Sequence, residues 1–564
     1  MEGIRNRTRL KSTNVENILV DEKDESKVTS TNRIVLSIPV LVLLIFAFRL
    51  FNSLTIKTFF QADEYYQSLE PAHAYVFGYG YITWEWKQHL RSSIHPWLYV
   101  IGYKIVSFFS DEPDIIALAP KVIGALLSTV GEVGLYRLAY TYTTDESLAR
   151  ITLLLSLLNP FNWYIFTRSF SNGFETVLII WALNFWLWNN RINLKYASIS
   201  FILALLSIVV RPTNAILWAY LGLYFLIHTK EKFSSLFKLG LVFLISLVGV
   251  LSLSTWLDYL FYGILTFPTY NFIEFNVLRN LSIFYGVAPW HFYIFQTIPL
   301  LLMTYLPFWL HSELCLHHYK DILTQIIIVV TTGFSIIGHK EFRFIYPLQP
   351  IFLIITSYSI KDILDKFSSR TIVKIIISII IVINVAIAIF FSQVHERGSI
   401  DVINYLKKEL TEGDKIESIG FLTPCHSTPW QSYIHNAELN NNSNTNNISK
   451  LWFLTCEPPL HLSESATLED IRAYRDESDQ FYDDRLQFLH DNFPTDQRNR
   501  IGESKYEWPS RLIVFEPEEE FMNDFLKPYS YHQCKRFFNS YFHWDDRRKG
   551  DIIVYCRDND KSTI

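Results

Sequence analysis

The chain has 564 residues, of which 50% are hydrophobic, 16% aromatic and only 19% charged. This composition excludes a disordered protein, a small disulfide-rich scaffold and a nucleic-acid-binding protein. The formal net charge of −5 is unevenly distributed, because residues 393–564 contain 20 Lys and Arg against 30 Asp and Glu. That balance of −10 leaves +5 for residues 1–392, so we expect the two parts to face different surroundings.

Long apolar runs follow one another from residue 34 and indicate membrane spans, because about 20 apolar residues cross a bilayer. The first run follows 33 mostly polar residues and lacks a small-residue cleavage site, so it is not a cleaved signal peptide. We predict a mainly α polytopic membrane protein with ten to thirteen transmembrane helices, the number within 95–143 being left open. The runs are 34–51, 97–109, 115–140, 151–166, 174–188, 197–210, 215–227, 236–256, 292–310, 322–337, 344–360 and 375–391.

Lys and Arg near the span ends predict the orientation. Residues 1–33 contain seven of them and are predicted to form a disordered cytoplasmic tail. Further basic residues at 230–238 and 361–374 mark cytoplasmic loops. One span follows the last of these, so a multi-pass domain over 34–392 should place its polar loop 52–94 and the whole of 393–564 in the lumen.

Residues 393–564 are predicted to form a compact lumenal α+β domain, with a helix-like stretch at 468–489 and strand-like stretches at 511–515 and 551–555. Four of the five cysteines lie there, an even number that suits two disulfides in an oxidising lumen. Their pairing stays open, and four unpaired buried thiols are the alternative. Asn441 and Asn447 begin glycosylation sequons beside an Asn-rich loop at 440–447. The cysteines are Cys425, Cys456, Cys534 and Cys556.

The loop 52–94 concentrates carboxylates, imidazoles and aromatic rings directly after a membrane span. Aromatic rings pack on sugar faces, and a carboxylate such as Asp63 or Glu64 can accept a proton from an attacking hydroxyl. The alternative is an interfacial loop whose Trp and Tyr form an aromatic belt beside solvated acids. The candidate substrate-binding residues of this loop are Gln67, Glu70, His73, Trp84 and Trp86.

Three further polar clusters, at 167–175, 211–214 and 339–344, are predicted on the same side of the membrane. The cluster at 339–344 combines a Lys with a potentially bidentate Arg, which suits a phosphate leaving group, although snorkelling cations at a helix end are the alternative. Four polar clusters on one face favour an active site there. Glu132 and Arg137 are expected to pair within their own span. The further candidates are His339, Lys340, Glu341 and Arg343 for phosphate, and Arg168, Asn172 and Arg211 for substrate.

No His/Cys cluster has zinc spacing, and the acidic pair at 63–64 would need additional ligands to hold a divalent ion. We therefore expect no metal and no cofactor. The scattered histidines, among them His89, His95 and His291, are expected to be structural.

The His-Lys-Glu-x-Arg-Phe block at 339–344, the acidic pair at 63–64 and the Thr-Arg-x-x-Ser-Asn segment with a following Glu at 167–175 resemble signatures of a known family. It is the GT-C fold mannosyltransferases of the endoplasmic reticulum, of the glycosyltransferase family 22 type, which use dolichyl-phosphate mannose. Within it, segments 67–73, 77–86 and 424–430 are most similar to the branch that adds the third mannose of glycosylphosphatidylinositol (GPI) precursors. Gly173, where we expect another small residue, is a minor departure.

The resemblance implies α1,2 transfer onto the second mannose of a GPI precursor, with other GPI-assembly enzymes as partners. Because dolichyl-phosphate mannose is β-linked, an α product implies inversion in one displacement, which needs one base and a stabilised leaving group. Asp63 is the expected base, with Glu64 orienting the acceptor or exchanging roles with it. Lys340 and Arg343 would stabilise the departing dolichyl phosphate, oriented by His339 and Glu341.

Three alternatives remain at this point. A sister enzyme acting on N-glycan intermediates or adding the fourth GPI mannose would share fold, donor and base. A secondary transporter should show paired interrupted spans in two halves of the chain, and no such symmetry is apparent. A structural subunit of a membrane complex would not need four polar clusters on one face.

Overall fold

The computed structural model describes residues 38–279, 281–367, 371–412, 416–440, 449–461, 468–494 and 504–558. The chain divides into two units, Met1–Leu43 and Leu44–Ile564. Of the first unit, only the beginning of a helix is described. The predicted cytoplasmic tail at 1–33 and the sequons at Asn441 and Asn447 lie outside the described residues.

The predicted helical membrane architecture is confirmed. Within the described residues, five helical segments are long and apolar enough to cross a membrane: Ile38–Thr55, Pro113–Thr143, Phe233–Tyr262, Tyr293–Leu314 and Thr371–Val394. Leu194–Val210 and Ile322–Ile336 are shorter apolar helices. Because several predicted runs form helices of fewer than 18 residues, the count of ten to thirteen spans stays a prediction.

The helices that precede residue 395 are the following. They are α1 (Ile38–Thr55), α2 (Glu70–Phe77), α3 (Trp84–Lys87), α4 (Ile94–Ser107), α5 (Pro113–Thr143), α6 (Glu146–Leu158), α7 (Pro160–Ile165), α8 (Ser171–Asn184), α9 (Leu194–Val210), α10 (Ala215–His228), α11 (Phe233–Tyr262), α12 (Pro268–Ile273), α13 (Ile298–Leu302), α14 (Leu306–Leu314), α15 (Ile322–Ile336), α16 (Gln349–Phe367) and α17 (Thr371–Ile389).

The expected pairing of Glu132 with Arg137 is wrong. Residues five apart on an α-helix point in different directions, since helical neighbours are three or four apart. Glu132 instead forms a fully buried ion pair with Arg49 of α1. The guanidinium of Arg137 lies over the ring of Phe185, at 5.1 Å. The carboxylate and the cation thus each have a partner outside α5.

The C-terminal residues, which we call the tail domain (395–558), fold around a five-stranded mixed sheet and agree with the predicted α+β class. The strand order is β2-β1-β3-β5-β4, with β1 parallel to β2 and β3, and β5 antiparallel to β3 and β4. The elements are α18 (Gly398–Glu412), β1 (Ile419–Phe421), α19 (Gln431–Ile434), β2 (Leu451–Phe453), α20 (Leu468–Ala473), α21 (Glu477–Asp483), α22 (Arg485–Asn492), β3 (Arg511–Phe515), α23 (Glu519–Phe525), β4 (Tyr531–Ser540) and β5 (Gly550–Arg557).

Strand β3 is buried on both sides of the sheet, and its successive residues point to opposite faces. Leu512 and Val514 of β3 pack with Phe481 and neighbouring rings in a core of the tail domain itself. Ile513 and Phe515 pack with Tyr66 of the polar loop in a second core that α4 and α18 also join. The tail domain therefore shares a hydrophobic core with the loop that carries Asp63.

Two disulfide bonds lie in the tail domain. Cys425 is bonded to Cys456, and Cys534 to Cys556. The second bond joins adjacent strands β4 and β5. The first joins the segment after β1 to the segment after β2, and so fixes the loop 424–430.

Candidate active site

The polar loop and the 339–343 segment, far apart in sequence, meet through Asp63 and Arg343. The two side chains form an ion pair across 280 residues of sequence. Arg343 is almost fully buried, whereas the Asp63 side chain is 23% exposed. The arginine therefore forms the floor of a surface on which the Asp63 carboxylate stays accessible.

Glu341 fixes the orientation of Arg343. Its two carboxylate oxygens accept hydrogen bonds from Arg343 Nε at 2.7 Å and Nη2 at 2.9 Å, the bidentate geometry that guanidinium favours. His339 Nε2 lies 3.3 Å from Glu341 Oε1. Burial alone would raise the pKa of Glu341, but Arg343 and His339 hold it well below its ordinary value. Glu341 is therefore a permanent anion that orients the arginine.

Lys340 points to the backbone instead of to this cluster. Its Nζ donates to the carbonyl oxygens of Ala288 at 2.8 Å and Ile337 at 2.5 Å. Ile337 follows the end of α15, where helix carbonyls lack partners within the helix. The ammonium is thus solvated by main-chain oxygens near that helix end.

Glu64 occupies a different environment from Asp63, although the two are adjacent in sequence. They begin a helical turn that continues into the π-helix Tyr65–Leu69, and successive helical residues point about 100° apart. Glu64 Oε2 accepts a hydrogen bond from Arg168 Nη1 at 2.7 Å. Burial raises the pKa of Glu64 above its ordinary value, although Arg168 opposes the rise. The acidic pair is therefore split between an accessible carboxylate and a buried one.

Arg168 connects Glu64 to two backbone carbonyl groups on neighbouring segments. Besides Glu64, it donates to the Thr58 carbonyl at 2.8 Å and to the Tyr164 carbonyl at 2.8 Å. The preceding Thr167 carbonyl is closely approached by Gly124 of α5, where any Cβ would collide with that oxygen. The close contact explains how the long helix α5 can press against the Arg168 segment.

Asn172 and Arg211 form a second polar group beside Arg343. Arg211 Nη1 donates to Asn172 Oδ1 at 3.4 Å, and Arg211 Nε lies 3.3 Å from Glu175 Oε2. The Arg211 guanidinium also lies 4.9 Å from the Phe344 ring centre, and that of Arg343 lies 5.8 Å from the same centre. One aromatic ring thus lies close to both cations.

Sequence reasoning did not assign roles to Glu85 and Arg91, which the structure places next to this cluster. Glu85 Oε1 accepts from Arg91 at 2.7 Å and from Gln67 at 3.4 Å. Burial would lower the pKa of Arg91, but Glu85, with help from Asp63, raises it. Both residues lie in the polar loop already identified, so the signal was their charge within that loop.

The two tryptophans of the loop are largely buried. Trp86 donates from its indole nitrogen to the Tyr66 carbonyl at 3.2 Å. Trp84 packs against Phe275 at 4.9 Å between ring centres and stacks with Tyr285 at 6.1 Å. Their contacts hold the loop against neighbouring segments.

Glu70 and His73 of α2 face the tail domain and are fully buried. Glu70 Oε1 accepts from the Ser432 backbone N–H at 2.7 Å, and His73 Nε2 lies 2.8 Å from His435 Nδ1. Burial raises the pKa of Glu70 to about 7 and lowers that of His73 to about 3. These predicted substrate-binding residues therefore connect the loop to the tail domain.

A cavity of about 50 Å³ lies beside the Glu64–Arg168 pair and is also lined by Thr58, Lys121 and Ser432. Ligand pockets are typically several times larger, at about 300 Å³ or more. This volume suits water molecules and is too small for a sugar.

Among the described residues, Cys425, His426 and Cys456 bring three possible metal-ligating atoms within 4.8 Å of one another. The two sulfurs are joined in a disulfide bond. A metal ligand must be a thiolate, which a disulfide does not provide. The residues present thus do not fit a zinc site in this oxidised form.

The chain is similar to known proteins over most of its length. The Alg9-like mannosyltransferase family matches residues 40–435. GPI mannosyltransferase 3 of Debaryomyces hansenii is 56% identical, over 95% of this chain and 96% of its own, and that of Candida albicans is 50% identical, over 93% and 100%. The crystal structure of ArnT from Cupriavidus metallidurans bound to undecaprenyl phosphate is 10% identical and has a TM-score of 0.53, over 92% of this chain and 97% of that one. The predicted GT-C fold is thereby confirmed, and the chain belongs to the Alg9-like mannosyltransferase family.

Proposed function

We propose that this mannosyltransferase transfers the third mannose, in α1,2 linkage, from dolichyl-phosphate mannose to the second mannose of a GPI precursor, at the lumenal face of the endoplasmic reticulum membrane. The GPI mannosyltransferase 3 relatives support the acceptor class, because they match almost the full length of both chains. The orientation follows from the basic residues of 1–33, which we assign to the cytoplasm.

The observation that carries the chemistry is the ion pair between Asp63 and Arg343. An inverting displacement needs a base for the attacking hydroxyl and a cation for the leaving phosphate, held close together. Asp63 offers an accessible carboxylate and Arg343 a buried guanidinium. The two required functions are thus adjacent on one surface.

Asp63 is the base in this proposal. The acceptor 2-hydroxyl oxygen attacks C1 of the donor mannose, the hydroxyl proton passes to the Asp63 carboxylate, and the bond from C1 to the phosphate oxygen breaks with its electron pair on dolichyl phosphate. The β-linked donor then yields an α-linked product. Glu64 is not assigned this role, because its carboxylate is less accessible: its side chain is 10% exposed, against 23% for Asp63.

Arg343 stabilises the departing phosphate. Its Nη1 is buried and has no hydrogen-bond partner within the part of the chain that the structure describes. In the proposal, these unpaired N–H groups donate to a phosphate oxygen once the donor is bound. Glu341 keeps the guanidinium plane fixed through Nε and Nη2. Because the negative charge on the phosphate increases as the bond breaks, a preoriented arginine favours the transition state over the bound donor.

The remaining predicted residues divide by position. Arg211 and Asn172, near Arg343, are assigned to the donor side, and Gln67 with Glu85 to the acceptor side of Asp63. Lys340 contributes to phosphate binding only if its ammonium leaves the Ala288 and Ile337 carbonyls. Glu70 and His73 are assigned to holding the loop in place. No metal or cofactor enters the proposed reaction.

The test uses the full-length protein in detergent with labelled dolichyl-phosphate mannose and a GPI precursor carrying two mannoses. We expect one added mannose that an α1,2-specific mannosidase removes, and loss of transfer in Asp63→Asn. Asp401→Asn is the matched control, because Asp401 is ion-paired with Arg397 and its side chain is 28% exposed, similar to Asp63. Transfer to an N-glycan intermediate or to a three-mannose GPI instead would contradict the proposed acceptor, and full activity of Asp63→Asn would contradict the proposed base.

A further inference from the structure

The connection between β4 and β5 exposes large aromatic side chains in its first four residues, which we call the aromatic tip (541–544). Tyr541, Phe542 and Trp544 are 73%, 54% and 87% exposed. Connections between antiparallel strands are usually rich in turn-forming polar residues. Neighbouring exposed apolar side chains commonly mark a surface that contacts a partner or a membrane.

The aromatic tip lies beside the end of the last membrane span, Thr371–Val394. The Phe542 ring is 4.6 Å from that of His395 and 6.2 Å from that of Phe390, measured between centres. His395 is the first residue after the span. The tip is therefore adjacent to the point where the chain leaves the bilayer.

Polar contacts hold the tip in this position. Glu396 accepts from Arg548 at 3.2 Å, lies 3.3 Å from His543 Nε2, and donates its backbone N–H to the Asn539 carbonyl at 2.8 Å. Asn539 and Arg548 flank the tip on its two sides, and His543 lies within it. The β4–β5 connection is thus fixed to the first turn after the membrane.

The exposure of the last span indicates which protein surface faces the lipid. Only 11% of its most apolar stretch is buried in the protein, and side chains such as Val382 and Ile389 are 67% and 53% exposed. The surface of α17 therefore faces acyl chains, and it ends beneath the aromatic tip. Trp and Tyr are enriched at the boundary between acyl chains and water.

We propose that Tyr541, Phe542 and Trp544 insert into the headgroup region of the bilayer and anchor the tail domain to the membrane surface. A lipid surface fits better than a protein partner, because the exposed rings continue the lipid-facing surface of α17. The proposal does not depend on the acceptor or on the catalytic roles proposed above.

The anchor would also support the candidate active site. The backbone N–H of Phe59 donates to the Glu396 carbonyl at 2.9 Å, and that of Lys57 to the Ser392 carbonyl at 2.9 Å. The same short segment thus contacts the tip and the start of the polar loop. Anchoring the tip fixes the height of that segment above the bilayer.

The test uses the full-length protein in nanodiscs of phosphatidylcholine, with one environment-sensitive fluorophore on a single introduced cysteine. Cys315, the free cysteine, is first replaced by Ser. The probe is placed at Asp546→Cys, which is close to the tip but leaves all three rings intact. Lys527→Cys, at the opposite end of the ten-residue strand β4, is the aqueous control, and Val382→Cys is the lipid control.

We expect nitroxide-labelled lipids to quench the probes at 546 and 382 but not at 527, and aqueous iodide to quench strongly only at 527. Adding Tyr541→Ser and Trp544→Ser should abolish lipid quenching at 546 and restore iodide quenching there. Iodide quenching at 546 equal to that at 527 would overturn the proposal. Shielding of 546 from both quenchers would overturn it as well, because the tip would then contact protein.

Discussion

Asp63 and Arg343 form an ion pair although 280 residues separate them in sequence. The arginine is held from the other side by Glu341, so Asp63 faces a guanidinium that cannot turn freely. In the proposed reaction, the base and the cation that stabilises the phosphate are therefore in direct contact. It also distinguishes Asp63 from Glu64, whose partner is Arg168.

Replacing Arg343 by Lys should reduce transfer strongly. Lysine keeps the charge but cannot make the bidentate contact with Glu341 while reaching Asp63. We expect kcat to fall by about 10²–10³, as for loss of one preoriented charge-stabilising donor. Steady-state kinetics with varied dolichyl-phosphate mannose measure this change.

Lys340→Met is the matched comparison for that variant. Lys340 donates hydrogen bonds to the Ala288 and Ile337 carbonyls. Its loss should therefore lower the thermal midpoint and leave the donor KM nearly unchanged. A kcat that falls as far in Lys340→Met as in Arg343→Lys would show that Lys340 also stabilises the departing phosphate. Unchanged kinetics of Arg343→Lys would contradict the proposed role of Arg343.

The sequence predicted the fold more completely than the site. Runs of apolar residues report directly on helices, and Arg511–Phe515 is a strand as predicted. The difference in environment between Asp63 and Glu64 depends on the direction in which each side chain points. The sequence of two adjacent acidic residues does not reveal this direction. Which partner Glu132 selects, and whether Glu70 is covered by the tail domain, depend on contacts between distant segments.

Glu64→Gln should destabilise the protein with little effect on the chemical step. The substitution leaves Arg168 buried without a counter-charge, which costs about 3–5 kcal/mol. Thermal unfolding in detergent at a fixed scan rate measures the loss. The double variant Glu64→Gln with Arg168→Met should recover part of it, because no unpaired charge then remains. A transfer rate per folded molecule that falls as far as in Asp63→Asn would contradict a purely structural role for Glu64.

The two disulfides should differ in their effect on transfer. Their cysteines are separated by 31 and 22 residues, so the chain-entropy model gives similar stability losses of about 3–4 kcal/mol for each. The loop closed by Cys425–Cys456 contains Thr428, whose carbonyl accepts from the Tyr66 hydroxyl at 3.1 Å, and His426, whose ring centre is 4.2 Å from that of Tyr66. Releasing this loop should disturb the π-helix that follows Asp63.

We therefore expect Cys425→Ser with Cys456→Ser to lower kcat, and Cys534→Ser with Cys556→Ser to lower stability alone. The β4–β5 ladder keeps the second pair of strands together without its bond. Transfer assays at a temperature where both variants remain folded separate the two effects. Equal rates in the two variants would contradict a positioning role for the 424–430 loop.

Glu70 should make stability depend on pH. Burial raises its pKa to about 7 in the folded protein, against an ordinary value near 4.5. The folded state therefore binds this proton more tightly than the unfolded state, and the resulting stabilisation is complete below about pH 4.5 and is lost as the pH rises through 7. Glu70→Gln cannot ionise, and its amide oxygen can still accept the Ser432 N–H. Its thermal midpoint relative to wild type should consequently increase from pH 5 to pH 8.

Glu477→Gln is the control, because the pKa of Glu477 is shifted in the opposite direction to that of Glu70. Burial would raise the pKa of Glu477, but Lys505 and the Thr455 N–H lower it overall. The stabilisation from Glu477 is therefore present throughout pH 5–8, and the variant should be destabilised by a constant amount there. Parallel midpoint curves for Glu70→Gln and wild type would mean that Glu70 keeps its charge at the buried contact with the tail domain.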